Sequence, residues 1–220
     1  MMSRDHQRPL VEMRGPVQDR MEIIEPLARR RRVLDVGCVD AHRQHGTSAS
    51  RLAAKGDLLF RGLAACAAEL TGVDVDDEGV EILAREGHDV LCADAATMDL
   101  GRTFDVIVAG EIIEHVPNAG QFLANLRAHL DDDGVLILTT PNPFYAKQTY
   151  KIWRYRRPAV HDAHVAWYDP ITLQQALERA GLLVDEGWWI QPRESLGKTW
   201  RRLFRRYFCH SFLFVAVKAQ

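Results

Sequence analysis

Four cysteines in 220 residues, at positions 38, 66, 92 and 209, form no CxxC pair and keep no ligand-like spacing to a histidine. That scatter fits reduced thiols better than a disulfide framework or a zinc site. Long apolar runs are missing too, since no segment approaches the roughly 20 residues that span a bilayer. The opening stretch MMSRDHQRPLVEMRG lacks the apolar run of a secretory signal. Charge of one sign is also missing: 28 Lys and Arg stand against 30 Asp and Glu, a formal net charge of −2. Any attraction to nucleic acid or to a membrane must therefore be local. No repeat or low-complexity tract breaks the chain. These absences together make a cytoplasmic protein the expectation. What is present, 47% hydrophobic and 26% charged residues, suffices for the core of one domain.

The apolar runs that do occur are short and alternate with helical patterns. Residues 1–16 are polar, carry Pro9 and Gly15, and read as a loose arm preceding a single domain over 17–220. Val17, Met21, Ile24 and Leu27 recur at helical spacing, with Pro26 ending or bending that helix early. Strands are expected at 33–36, 70–74, 88–93, 104–109 and 135–140. Helices are expected around 58–68, from Asp76 or Asp77 to Gly87, and from Asn118 through Leu130. Continuously apolar strands between amphipathic helices mean parallel strands covered on both faces, which is a Rossmann-like doubly wound sheet. Asp169-Pro170 opens a further helix that Gly181 closes. Strands at 183–190 and 211–217 then flank a basic amphipathic helix over 196–208.

Right-handed crossovers bring the strand C-termini to one edge, where such folds bind ligands. Three of those ends carry the functional reading. Gly37, directly after the first buried strand, lets the backbone turn sharply and approach a ligand. Asp74, at the second strand end, can accept hydrogen bonds from both hydroxyls of an adenosine ribose. Asp94, at the third, can accept from an exocyclic amine such as that of adenine. Each feature alone has a plainer explanation, a turn glycine or a helix cap; their order on three successive strand ends is the signal.

VLDVGC, GVDVD, CADAATMDL, FDVIVAGEIIEHVPN, GVLILTTPNP and WYDPITLQQALERAGL follow one another from about Val33 to Leu183. In these stretches the chain resembles the class I S-adenosylmethionine methyltransferases, especially the small type that includes ubiquinone-pathway O-methyltransferases. The resemblance implies a seven-stranded, mostly parallel sheet with an antiparallel last strand, and S-adenosylmethionine as cofactor. It implies Gly37 beside the methionine part, Asp74 on the ribose and Asp94 at adenine. It further implies Asp35 orienting the amino-acid end, with Gly110 and Glu111 lining the wall near the sulfonium. The chain departs from the family where further glycines are usual, reading Gly37-Cys38-Val39-Asp40-Ala41-His42; Asp40 or His42 can take over contact there. The same departure removes the G-x-G-x-x-G that would seat the pyrophosphate of NAD.

Methyl transfer from a sulfonium is an in-line displacement, and an O-acceptor benefits from a base near neutral pH. His115 and His164 are the candidate catalytic residues, with His161 nearby in the segment HDAHVAWYDP. Glu111 and Glu114 form no convincing carboxylate cluster, so no metal is expected. Residues 141–169 and 191–208 read as acceptor-side or cap elements. KQTYKIWRYRRP and GKTWRRLFRRYF are basic and aromatic, and suit an anionic acceptor. The second, over 197–208, also suits peripheral contact with the inner face of an anionic membrane. The expected acceptor is a small molecule, a lipid-linked molecule or a glycan, methylated at a hydroxyl. The alternatives are an RNA or protein methyltransferase and an inactive cofactor-binding or interaction module; no strong nucleic-acid signal favours the first of these.

Overall fold

A computed structural model describes residues 9–40, 47–54, 58–158, 160–191 and 209–219. Eight strands form one sheet: β1 (Met13–Val17), β2 (Arg32–Val36), β3 (Glu69–Asp74), β4 (Asp89–Cys92), β5 (Phe104–Gly110), β6 (Leu130–Pro141), β7 (Leu182–Ile190) and β8 (Ser211–Lys218). Their spatial order is β1-β7-β8-β6-β5-β2-β3-β4. All neighbours are parallel except β8, which runs antiparallel to both β6 and β7. The doubly wound sheet with an antiparallel last strand is therefore present, and it carries one strand more than the seven expected.

Seven helices accompany it among the described residues: α1 (Met21–Ala28), α2 (Ser48–Ala54), α3 (Leu59–Ala64), α4 (Asp77–Arg85), α5 (Ala119–His129), α6 (Ala146–Tyr155) and α7 (Pro170–Arg179). Strand periodicity distributes them over two faces. Ile107 and Ala109 of β5 point into a core with Phe122, Leu123 and Leu126 of α5 and Leu173 and Leu177 of α7. Val106 and Val108, one step out of phase, pack with Ile24 of α1 and Leu59 and Leu63 of α3. Local chemistry sets the helix starts. Asp76 caps α4 by accepting from the Gly79 amide, and Asn118 caps α5 by accepting from Gln121. Asp169 and Thr172 close a reciprocal capping box around Pro170 at the head of α7.

The extra strand corrects the loose-arm expectation of residues 1–16 over their described part, residues 9–16. Met13 and Arg14 pair in parallel with Gly187 and Trp188 of β7. The segment before them is held by Gln174, whose side chain accepts from the Val11 amide and donates to the Pro9 carbonyl. Backbone groups at an open sheet edge form a template for pairing, and that template, not local propensity, orders MRGPV. The basic helix expected over 196–208 lies outside the described residues, as does His42.

Candidate active site

The site is built where β2, β3, β4, β5 and β6 end. After Val36, Gly37 takes φ +82° and its amide donates to the Val73 carbonyl, so the chain turns across the top of β3. The next two residues point away from the cavity. Cys38 and Val39 enter a small core with Leu52, Phe60, Val80 and Leu83, where burial pushes the Cys38 thiol up. Room for them exists because two partners lack a side chain. A Cβ on Gly72 would stand 2.8 Å from the Cys38 sulfur, and one on Gly79 would meet Val39 at 2.2 Å. The glycine-poor loop is thus accommodated by glycines beneath it.

Asp74 is buried and fixes this loop. One carboxylate oxygen accepts from the Val39 amide at 2.9 Å, the other from the Asp76 amide at 3.0 Å. Asp40 and Glu111 both hold positive φ, +52° and +53°. Strained non-glycine backbone of this kind concentrates at functional sites, and both residues line the same cavity. Asp94 is exposed; one of its oxygens accepts from the Ala96 amide at 2.8 Å.

Two adjoining cavities result. The larger, about 360 Å³, lies between Asp74 and Asp94, with Val75, Ile112, Val116 and Phe122 in its walls. The second, about 160 Å³, is bounded by Gly37, Asp40, Gly110, Glu111, Glu114 and the three histidines 115, 161 and 164. Gly37, Asp74, Ile112 and His115 line both. Of the residues singled out from sequence, Gly37, Asp40, Asp74, Asp94, Gly110, Glu111, His115 and His164 therefore come together. Asp35 lies apart from this lining, fully buried one residue before the end of β2. Burial lifts its carboxyl from 3.8 to about 8, opposed by the charge of Arg20 and assisted by those of Asp74 and Asp40.

Sequence reasoning missed Arg20. It heads α1, and a Cβ on Gly110 would lie 3.1 Å from its guanidinium, which puts a cation at the cofactor edge of the sheet. Nothing local distinguishes this arginine from the run at 29–32; only the fold brings it there.

A third cavity, about 140 Å³, opens beside the second and shares Glu114, Pro141 and His164 with it; Thr140, Tyr145, Gln148, Trp167, Tyr168 and His210 are among the rest of its wall. Glu114, in the 3-10 turn after β5, is buried at its floor, and one carboxylate oxygen accepts from the Thr140 hydroxyl at 3.1 Å. The backbone carbonyl of Glu114 accepts from the Val165 and Ala166 amides, and His115 Nδ1 lies 3.2 Å from the Ala163 carbonyl. The segment over 161–168 is clamped onto the turn in this way. Burial and the charge of Glu114 push the Tyr168 hydroxyl up.

Known proteins decide the family. The family model described as a methyltransferase domain matches residues 5–186. The chain belongs to the methyltransferase domain family. Its fold is that of the class I methyltransferases. Among curated relatives, it is 31% identical over 123 residues to a ubiquinone biosynthesis O-methyltransferase of Azorhizobium caulinodans, covering 50% of this chain and 40% of that protein. It is 38% identical over 97 residues to the mitochondrial one of Arabidopsis thaliana, covering 40% and 30%. The matched stretch thus spans less than half the length of either relative. Among solved structures, magnesium protoporphyrin IX methyltransferase from Synechocystis, with bound S-adenosylhomocysteine, superposes with TM-score 0.60 at 15% identity, covering 90% of this chain and 78% of that one. A Burkholderia thailandensis 1,6-didemethyltoxoflavin-N1-methyltransferase gives 0.56 at 17% identity, covering 90% and 76%. At such identities the agreement concerns the fold.

Proposed function

We propose that this methyltransferase moves a methyl group from S-adenosylmethionine to a hydroxyl of a small-molecule or lipid-linked acceptor. The observation that carries the reading is the unbroken series of three cavities along one sheet edge, joined through Gly37, Asp74 and His115 and then through Glu114 and His164.

In this reading Asp74 accepts from the ribose hydroxyls with the lone pairs left by its two backbone donors. Asp94 accepts from the adenine amine, and Val75, Ile112, Val116 and Phe122 cover the ring faces. Arg20 meets the cofactor carboxylate and Asp40 faces its ammonium, while the buried Asp35 lies behind them within reach of their charges. Gly110 and Glu111 leave room for the sulfonium and stabilise its charge. The bound sulfonium supplies an activated methyl carbon and a neutral leaving group. The chain holds the acceptor in line with that carbon, an effect worth several orders of magnitude. His164, with His115 against it at 4.6 Å between ring centroids, stands where the acceptor proton is lost.

A lipid-linked acceptor is favoured by α6. Tyr150, Ile152, Trp153 and Tyr155 are exposed on it, none of its residues is buried, and Tyr145 and Gln148 at its start line the third cavity. Five cations and no acid lie over 147–158. No described helix is long and apolar enough to cross a membrane, so this helix would lie on a surface rather than span it. The test is turnover of phenolic acceptors with and without a lipid tail, alongside calorimetric titration with S-adenosylhomocysteine. His164→Ala should lower turnover and leave cofactor affinity unchanged. A variant that loses only cofactor affinity would move His164 to the other half of the site.

A further inference from the structure

His115, His161 and His164 come from two separate stretches of chain, yet one ring nitrogen from each lies within 4.8 Å of the other two. We infer that these three histidines bind a divalent transition-metal ion, of the zinc class, whose open position faces the acceptor. The inference rests on the methyl-transfer reading above for what the ion does, and on the histidines alone for where it binds. It also revises the metal-free site expected from the sequence.

Three features support a ligand set rather than a chance cluster. The tautomer of His115 is preset: its Nδ1 reaches the Ala163 carbonyl at 3.2 Å, so Nδ1 carries the proton and Nε2 presents a lone pair. A backbone acceptor on the far nitrogen is the usual arrangement behind a metal-bound imidazole. That carbonyl belongs to the very turn, closed by the His164 amide on the His161 carbonyl at 2.9 Å, which supplies the other two rings. Tetrahedral coordination at 2.0–2.1 Å puts ligand nitrogens about 3.4 Å apart. Reaching it takes inward movement of the rings, for which the exposed His161 has the most room. Its Nδ1 then exchanges a long contact with the Ala163 amide, 3.3 Å, for the metal.

The surroundings suit a cation. Asp40, Asp74, Glu111 and Glu114 line the same cavity, and neither lysine nor arginine does among the described residues. Three neutral imidazoles with a fourth position open is the arrangement of catalytic rather than structural zinc. His164 also lines the third cavity, so an ion held by it would adjoin the space proposed for the acceptor. An acceptor hydroxyl bound there loses its proton to water more readily, because the metal lowers its pKa. The acceptor oxygen would then attack the methyl carbon, the new O–C bond forming as the S–C bond breaks and the neutral thioether leaves.

Equilibrium dialysis of chelator-treated protein against Co²⁺ alone, followed by displacement with Zn²⁺, tests the site without turnover. One ion per chain is expected, with the intense visible absorption of four- or five-coordinate Co²⁺. His161→Ala and His164→Ala should each weaken binding by roughly tenfold or more. His161 is exposed, so its replacement leaves the fold intact and a loss there reports the ligand itself. Binding that is unchanged in both variants, or only the weak spectrum of octahedral Co²⁺, overturns the inference. Titration of the same samples with S-adenosylhomocysteine separates the two readings. Metal binding without cofactor binding would remove the methyl-transfer reading and leave the metal site standing.

Discussion

The two edges of the sheet use the same residue types to opposite ends. At the N-terminal edge, charges are matched. Arg32 spans Asp105 and Asp131 at 2.6 and 2.7 Å, Arg102 meets Asp89 and the Thr71 hydroxyl at 2.7 Å, and Lys218 meets Asp132 at 3.0 Å. Their pKa shifts tell the same story, with Asp105 and Asp89 held below the usual carboxylate range by hydrogen bonds from Arg32 and from Thr71 and Arg102. At the C-terminal edge, Asp40, Asp74, Glu111 and Glu114 line one cavity with Asp35 buried behind it, and the carboxyl of Asp35 rises instead of falling despite the opposing charge of Arg20. A surface that balances its charges needs nothing further. An edge with surplus negative charge suits the sulfonium and ammonium of the proposed ligand.

The sharpest way to break this contrast is through Asp35. Its folded-state pKa of about 8 lies above the ordinary 3.8, so the fold favours the neutral acid. As pH rises between about 4 and 8, the unfolded chain ionises first and the ligand-free protein loses stability, by up to about 1.4 kcal/mol per pH unit. Asp35→Asn should flatten that slope in urea unfolding followed across the window, while weakening cofactor binding. A wild-type profile that is level over these pH values would remove the contrast.

Next in size is Asp74→Ala. Losing its hydrogen bonds to ribose should cost roughly 1.5–3 kcal/mol of cofactor affinity, read by calorimetry with S-adenosylhomocysteine. Unchanged affinity would show the ribose lies elsewhere. The smallest effect belongs to the opposite edge. Asp131→Ala should leave cofactor affinity untouched, and whatever stability it removes should vanish at high salt, since both partners of that pair are substantially exposed. A salt-resistant loss would mean the N-terminal edge holds more than a screened ion pair.

How much of this was legible beforehand follows from the range of the forces involved. Strands β2, β3 and β5 announce themselves because burial on both faces writes a continuous apolar run, and Asp76, Asn118 and Asp169 announce their helices because capping is a contact across three residues. Gly37, Asp74 and Asp94 were readable as a trio from the order of strand ends. The strand β1 was not, since Gly15 and Pro16 argue against a strand and only the edge of β7 calls for one. Helix α6 left no periodic core stripe because none of its residues is buried. Arg20 and the meeting of His115 with the 161–164 turn depend on contacts across more than 40 positions, for which a sequence carries no local mark. The loop after Gly37 was the least legible: its departure from the family's glycines is plain in the sequence, but that Gly72 and Gly79 make room for Cys38 and Val39 from below is not.

The N-terminal strand ties together two properties that would otherwise be separable. Residues 13–17 cover the open side of β7, and the chain then leads within a few positions to Arg20 beside Gly110. A shortened protein starting at Met21 would bare a strand edge prone to self-association and lose the arginine proposed to meet the cofactor in the same cut. For anyone preparing this enzyme, poor solubility and weak cofactor binding would then arrive together, and restoring the first twenty residues would cure both.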